Sequence, residues 1–102
     1  MQCHASFLMS VDKAIRRLRE AGASMRCSEL QTVMESLGFE VRAGKKQGHK
    51  VVTHPMLKDF FGAAYTCGHG KNPEVKPNYV NQMRRLIEER RDQLKRIVEA
   101  QE

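Results

Sequence analysis

The feature of this sequence that could do chemistry is a histidine among lysines. Segment 44–50 reads GKKQGHK, in which His49 follows Lys45 and Lys46. Lys50 comes directly after the histidine. Imidazole exchanges protons near neutral pH, and fixed ammonium groups attract phosphate. The segment therefore predicts phosphate chemistry in which His49 moves a proton while the lysines hold the anion.

The positive charge of the chain is concentrated around the same segment. The 102 residues have a formal net charge of +6, and residues 41–73 hold six lysines and arginines against one aspartate, a local charge of +5. Arg42 lies in this region and is a further candidate for phosphate binding. A concentrated basic surface attracts polyanions because each phosphate contact releases counterions. The alternative interpretation is a solvated lysine surface with no ligand.

The periodicity of the apolar residues predicts six elements in the order α, α, β, β, β, α. They are a helix after Ser10 that stops at Gly22, a helix that opens with a capping box at 28–31 and ends at Gly38, strands at 39–43, 49–54 and 61–67, and a long helix from Pro77. Three antiparallel strands with helices on one face would bury the apolar stripes and leave the other sheet face for function. The predicted fold class is therefore α+β.

Strand alternation separates the two histidines of the second strand. His49 and His54 are five residues apart, so their side chains should point to opposite faces of the sheet. His54 is therefore a weak catalytic partner, and we expect it to end the strand or to touch backbone phosphate. His69 and Lys71, in the polar connection after the third strand, are secondary candidates for the site.

The number of cysteines and the length of the apolar runs indicate where in the cell the protein is located. Cys3, Cys27 and Cys67 are an odd number with no C-x-x-C pair, which argues against a disulfide framework and for a reducing cytoplasm. No run approaches the ~20 apolar residues that a membrane span needs. The first ten residues have no positive run before a short apolar patch, which is not typical of a secretory signal. We expect a soluble cytoplasmic protein that does not enter a membrane.

A set of local features extends from Ser28 to about Glu89. They are a capped helix that opens Ser28-Glu29-Leu30, the turn Leu37-Gly38-Phe39, the lysine-rich turn with glycine and histidine, the strand end His54-Pro55 and a closing helix after Lys76-Pro77. This stretch resembles the HicA-like mRNA interferase toxins of bacterial type II toxin-antitoxin systems. The resemblance implies a fold like that of a double-stranded RNA-binding domain, with α-β-β-β-α order in residues 25–102 and an extension helix in residues 1–24.

The resemblance also implies an activity and a partner. In the family the histidine that starts the second strand is catalytic, and here that position is His49. The expected activity is metal-independent cleavage of mRNA by an endoribonuclease that uses no cofactor and is neutralised by a HicB-like antitoxin protein. Family members usually have Gly-Ser-His where this chain has Gln47-Gly48-His49. The additional N-terminal helix could pack on the domain, form a homo-oligomer or bind the antitoxin.

A single histidine could suffice because RNA carries its own nucleophile. Cleavage requires deprotonation of a 2′-hydroxyl, charge stabilisation at phosphorus and protonation of the departing 5′-oxygen. His49 can be the base or the acid, and the neighbouring lysines can neutralise the phosphate. No obvious second proton-transfer group accompanies them. We therefore expect modest rates that depend on how the RNA is positioned.

Other interpretations remain open. One is a noncatalytic module that binds RNA or DNA with the same basic surface. Another is an interaction protein whose basic face docks an acidic partner. A metal site would need Cys67 and His69 to join Cys3 and His4, and two such distant pairs lack the usual zinc spacing, so we expect no metal.

Overall fold

The computed structural model describes residues 10–21, 25–71 and 73–101 as an α+β fold. Its elements in chain order are α1 (Val11–Glu20), β1 (Met25–Arg26), α2 (Cys27–Ser36), β2 (Glu40–Ala43), β3 (His49–Thr53), β4 (Ala63–Thr66), β5 (Glu74–Val75), α3 (Pro77–Glu89) and α4 (Arg91–Gln101). The predicted α+β class with a three-stranded antiparallel sheet is confirmed. Within the described ranges, no helix has the length and apolar character to cross a lipid bilayer.

The main sheet is an antiparallel meander in the order β2-β3-β4. Val52 is fully buried and lies opposite Val41 on one side and Ala63 on the other, so these residues mark the face that packs on the core. Val51, one residue earlier, lies opposite Arg42 and marks the other face. Because side chains alternate along a strand, His49 shares this outer face with Val51.

One hydrophobic core joins the sheet to each of the helices α1 to α4 in the described ranges. It includes fully or almost fully buried residues from each helix and from β3 and β4, among them Leu18, Leu30, Val52, Tyr65, Ile87 and Leu94. α1 packs against α3 and α4, and ion pairs from Asp12 to Arg91 and Lys95 reinforce the contact with α4. The described part of the N-terminal helix therefore packs on the domain, which is one of the roles considered for it.

Helices α1 and α2 have different N-terminal caps. The hydroxyl of Ser10 accepts a 3.1 Å hydrogen bond from the amide of Lys13, so the predicted cap of α1 is confirmed. The capping box predicted at 28–31 is wrong. The N-cap of α2 is Arg26, two residues before Ser28, and the carboxylate of Glu29 accepts a 3.1 Å hydrogen bond from the amide of Arg26 instead.

The structure also departs from the predicted strands and from the long C-terminal helix. β1 and β5 pair as a two-residue ladder that was not predicted. The third strand of the sheet is shorter than expected, and Phe61 lies outside it with 95% of its surface exposed. The long helix is broken at Arg90, whose guanidinium lies 5.2 Å from the ring centroid of Phe60 and 3.9 Å from the carboxylate of Asp59.

Cys27 and Cys67 form a disulfide bond between the first residue of α2 and the residue that follows β4. Their Cα atoms are 5.7 Å apart, within the range that a disulfide spans. Both half-cystines are buried. The expectation that the cysteines form no disulfide is therefore wrong, and the inference from cysteine count to a reducing cytoplasm loses its support.

Candidate functional site

The turn between β2 and β3 fixes the backbone of His49 on both sides. The amide of Gly44 donates a 2.7 Å hydrogen bond to the carbonyl of His49, and the amide of His49 donates a 3.0 Å bond to the carbonyl of Lys46. Gly48 has a φ of +82°, a backbone conformation that residues other than glycine rarely adopt. A Cβ at Gly48 would also lie 2.6 Å from the carbonyl oxygen of Cys67. The hairpin therefore presents the histidine at a defined position.

Gly44 also makes room for the imidazole of His49. A Cβ built at Gly44 would collide with Nδ1 of His49 and lie 3.0 Å from its Cε1. Since real Cβ atoms do not approach other atoms so closely, an alanine at this position would displace the ring or the turn. The glycine is required by the side chain across the hairpin from it.

An open cavity of about 850 Å³ surrounds His49 on the outer face of the sheet. We call it the His49 cavity. Its lining residues are Ala43, Gly44, Lys45, Lys46, His49, Val51 and Thr66. The two lysines are exposed and His49 is half-buried, so a ligand in the cavity would meet a partly desolvated imidazole and two mobile positive charges.

Two other candidate phosphate ligands lie outside the lining of this cavity. Lys50 is paired with Ala43 and with the fully buried Tyr65, and strand alternation places it on the opposite face from His49. Arg42 is on the outer face, where its guanidinium forms a 2.9 Å ion pair with Glu40 and its side chain is 76% exposed. Arg42 could reach a ligand that extends across the outer face of the sheet. Lys50 lies on the other face and could not contact such a ligand.

His54 is a core residue, and the expectation that it could touch phosphate is wrong. The residue is 5% exposed, and its Nε2 lies 3.0 Å from the carbonyl of Leu37. Its Nδ1 accepts a 3.1 Å hydrogen bond from the amide of Met56. These two contacts require the neutral imidazole with its proton on Nε2. The opposite orientation of His49 and His54 that alternation predicts is what sends His54 into the core.

Burial lowers the pKa of His54, because a charged imidazole would lose its hydration. The carbonyl of Leu37 and the charge of Glu40 act in the opposite direction and offset part of that effect. The ring also packs edge-on against Phe39, with centroids 4.8 Å apart. His54 therefore ties the end of α2 to the end of β3.

The secondary candidates His69 and Lys71 are both exposed on the connection after β4. His69 lines a second cavity that includes Thr66 as well, so Thr66 belongs to both cavities. Thr66 was not singled out from the sequence. The pairing register would have found it, because Thr66 lies directly opposite His49 in the β3–β4 ladder.

The four-ligand metal site that the sequence argued against would need Cys67 as one of its ligands. Cys67 is bonded to Cys27 and offers no thiolate, while Cys3 and His4 lie outside the described residues. Among the residues that the structure describes, no group of three or more His, Cys, Asp or Glu side chains could hold a metal ion.

Comparison with known proteins does not assign the chain to a family. No protein-family profile, curated protein or solved structure matches it. The case for a function consequently depends on the chemistry of the His49 cavity and on the local features of the sequence.

Proposed function

We propose that this protein binds RNA at the His49 cavity and cleaves it there as a metal-independent endoribonuclease. The observation that carries the proposal is the convergence of His49, Lys45 and Lys46 on one open cavity of the outer sheet face. An imidazole beside two ammonium groups suits a phosphodiester better than a neutral ligand. The opening leaves space for a polymer that extends beyond the cavity.

The chemistry follows from the positions of these side chains. His49 removes the proton from a 2′-hydroxyl, and the resulting oxygen attacks the adjacent phosphorus. Lys45 and Lys46 offset the negative charge that develops on the phosphate oxygens. The bond from phosphorus to the 5′-oxygen breaks, and a proton from His49 or from water neutralises the leaving group.

The order of elements supports an extension of this proposal to the toxin family. Apart from the two-residue β5, which lies between β4 and α3, elements α2, β2, β3, β4 and α3 have the order α-β-β-β-α that is expected for a domain of the double-stranded RNA-binding type. On this proposal the protein is a HicA-like mRNA interferase, and a HicB-like antitoxin inhibits it by covering the His49 cavity. Expression without that antitoxin would arrest growth, and His49→Ala would relieve the arrest.

The composition of the cavity also supports a second candidate, a noncatalytic RNA-binding module. Within the described part of the chain, His49 is the one imidazole that lines the cavity, and no carboxylate or phenol lines it with the histidine. Binding of phosphate and 2′-hydroxyl groups needs no second proton-transfer group, whereas fast cleavage benefits from one.

One assay separates the two candidates. Labelled single-stranded RNA is incubated in EDTA with the wild-type protein, with His49→Ala and with Thr53→Ala, an exposed position on the same strand and the same face. The endoribonuclease proposal expects EDTA-resistant cleavage that falls roughly 10²- to 10⁴-fold in His49→Ala and persists in Thr53→Ala. RNA binding without cleavage selects the binding module. Equal cleavage by all three proteins contradicts the assignment of His49.

A further inference from the structure

A second cavity adjoins the His49 cavity between the β4–β5 connection and the start of α3. We call it the His69 cavity. It has a volume of about 390 Å³, and the lining residues that matter here are Thr66, His69, Glu74, Lys76 and Tyr79. It lies on the next stretch of surface because Thr66, which faces His49 across the β3–β4 ladder, forms part of both linings.

Hydrogen bonds and a disulfide hold the two cavities in a constant relation. The amide of Cys67 donates a 2.7 Å hydrogen bond to the carbonyl of Gly48, immediately before His49. The amide of Gly68 donates a 3.0 Å bond to the carbonyl of Glu74, which closes the connection onto β5. Cys67 is also anchored to α2 by the disulfide. A polymer that lies over Thr66 would therefore meet two preformed sites at a set spacing.

The side chains of the His69 cavity suit a nucleotide. Lys76 is exposed and supplies a positive charge, and the first turn of α3 carries no acidic residue. Tyr79 is half-buried and packs against the hydrophobic core, which restrains a ring on which a base can stack. The negative charge of Glu74 is partly offset by Arg26, whose guanidinium lies 3.7 Å from the carboxylate.

We propose that the His69 cavity is a second nucleotide subsite, in which Lys76 contacts the phosphate next to the one at His49 and Tyr79 stacks on the attached base. The inference rests on the proposed function, since it takes single-stranded RNA as the ligand. It adds a requirement for substrate length. A substrate with one phosphate fills the His49 cavity alone, whereas a longer strand fills both cavities and binds more tightly.

The first test compares substrates of different length. Cleavage of the dinucleotide UpU and of hexauridylate is measured for the wild-type protein, for Lys76→Gln and for Lys13→Gln, a matched loss of charge at an exposed position of α1. We expect Lys76→Gln to lower kcat/KM for the hexamer by about two- to fivefold, the scale of one exposed ion pair, and to leave UpU cleavage unchanged. Lys13→Gln should leave both unchanged.

The second test measures binding without cleavage. A fluorescent hexauridylate with 2′-O-methyl groups is titrated by anisotropy at several salt concentrations. We expect Lys76→Gln to reduce the slope of log K against log salt by about 0.7, the value for one phosphate contact on a single strand. Tyr79→Leu should weaken binding and Tyr79→Phe should not, with thermal melts to confirm that both variants are folded.

The outcomes distinguish the two proposals. If the wild-type protein neither binds nor cleaves RNA, the proposed function fails and the subsite with it. If the wild-type protein cleaves the hexamer but Lys76→Gln behaves like Lys13→Gln, the subsite alone is refuted. A loss in Lys76→Gln that is equal for UpU and for the hexamer also refutes it, because Lys76 would then act through the His49 cavity.

Discussion

The amide of Gly44 donates a 2.7 Å hydrogen bond to the carbonyl of His49, while the Cα of Gly44 lies against the imidazole of the same residue. Gly44 therefore contacts both the backbone and the side chain of His49. This double contact explains why a residue without a Cβ precedes the two lysines of the turn. It also makes the position of the candidate catalytic ring sensitive to one methyl group.

We expect Gly44→Ala to destabilise the protein by about 1–3 kcal/mol, the usual cost of forcing an extra methyl group into a filled space. The measurement is urea denaturation of Gly44→Ala, of His49→Ala and of the double variant. If the imidazole is what the methyl group meets, Gly44→Ala should cost much less when His49 is already alanine. An equal cost in both backgrounds would show that the turn, and not the ring, resists the substitution.

The lysines around His49 should differ in their effect on RNA binding. Lys45→Gln with Lys46→Gln removes both cations of the His49 cavity, and we expect the salt slope of single-strand binding to fall by about 1.4, or about 0.7 for each contact. Lys50→Gln, on the opposite sheet face, serves as the matched control and should change the slope little. An effect of Lys50→Gln as large as that of either cavity lysine would contradict the assignment of faces.

Acid should weaken the fold through His54. Its pKa is lowered from 6.5 in the folded protein, so below pH 6.5 the unfolded state binds a proton that the folded state does not. Stability is therefore greatest above pH 6.5 and declines as the pH falls towards the folded pKa, by at most about 1.4 kcal/mol per pH unit from this residue.

The measurement for His54 is the free energy of unfolding between pH 7.5 and pH 5. In His54→Gln the amide keeps one donor and one acceptor but does not titrate, so this variant should lose part of the dependence on pH. The exposed His69→Gln is the control and should retain it. A pH profile of His54→Gln that parallels the wild type would exclude His54 as the source.

The disulfide should contribute substantially to stability. Cys27 and Cys67 are separated by 40 residues, and closing a loop of that length restricts the unfolded chain by about 4 kcal/mol in the chain-entropy treatment. We expect reduction to lower the free energy of unfolding by about 2–4 kcal/mol. The variant Cys27→Ser with Cys67→Ser should be insensitive to reductant.

A thiol count tests the bond itself. The chain has three cysteines, so denatured protein should react as one thiol before reduction and as three afterwards. Three thiols before reduction would contradict the disulfide. Cys3→Ser, which leaves the bonded pair intact, should then show none before reduction and two after.

Much of the sheet could be predicted because its signals are local. Alternation in residues 39–43 and 49–54, with glycines between them, predicts the hairpin that the structure contains. The same alternation correctly separates His49 from His54. Lys50 was predicted to be a phosphate ligand because it is next to His49 in sequence. Adjacent residues of a strand face opposite sides of the sheet, however, so Lys50 lies on the other face.

The features that were missed depend on distant parts of the chain. The break at Arg90 coincides with its contact to Phe60, 30 residues earlier, while the apolar stripe of α3 continues into α4 without a local stop signal. Strands of two residues, such as β1 and β5, are too short to show a period. The disulfide unites residues whose proximity follows only from the packing of α2 against the sheet.

The two cavities differ in where their lining residues lie relative to the loop that the disulfide closes. Residues 43–66, which contribute the lining of the His49 cavity, all lie inside the ring that the Cys27–Cys67 bond closes, whereas Lys76 and Tyr79 follow it. A single cut in the exposed turn at Lys45 or Lys46 would leave both ends of the break attached to one molecule. The turn that carries the candidate chemistry can thus be nicked without separating the chain into two pieces.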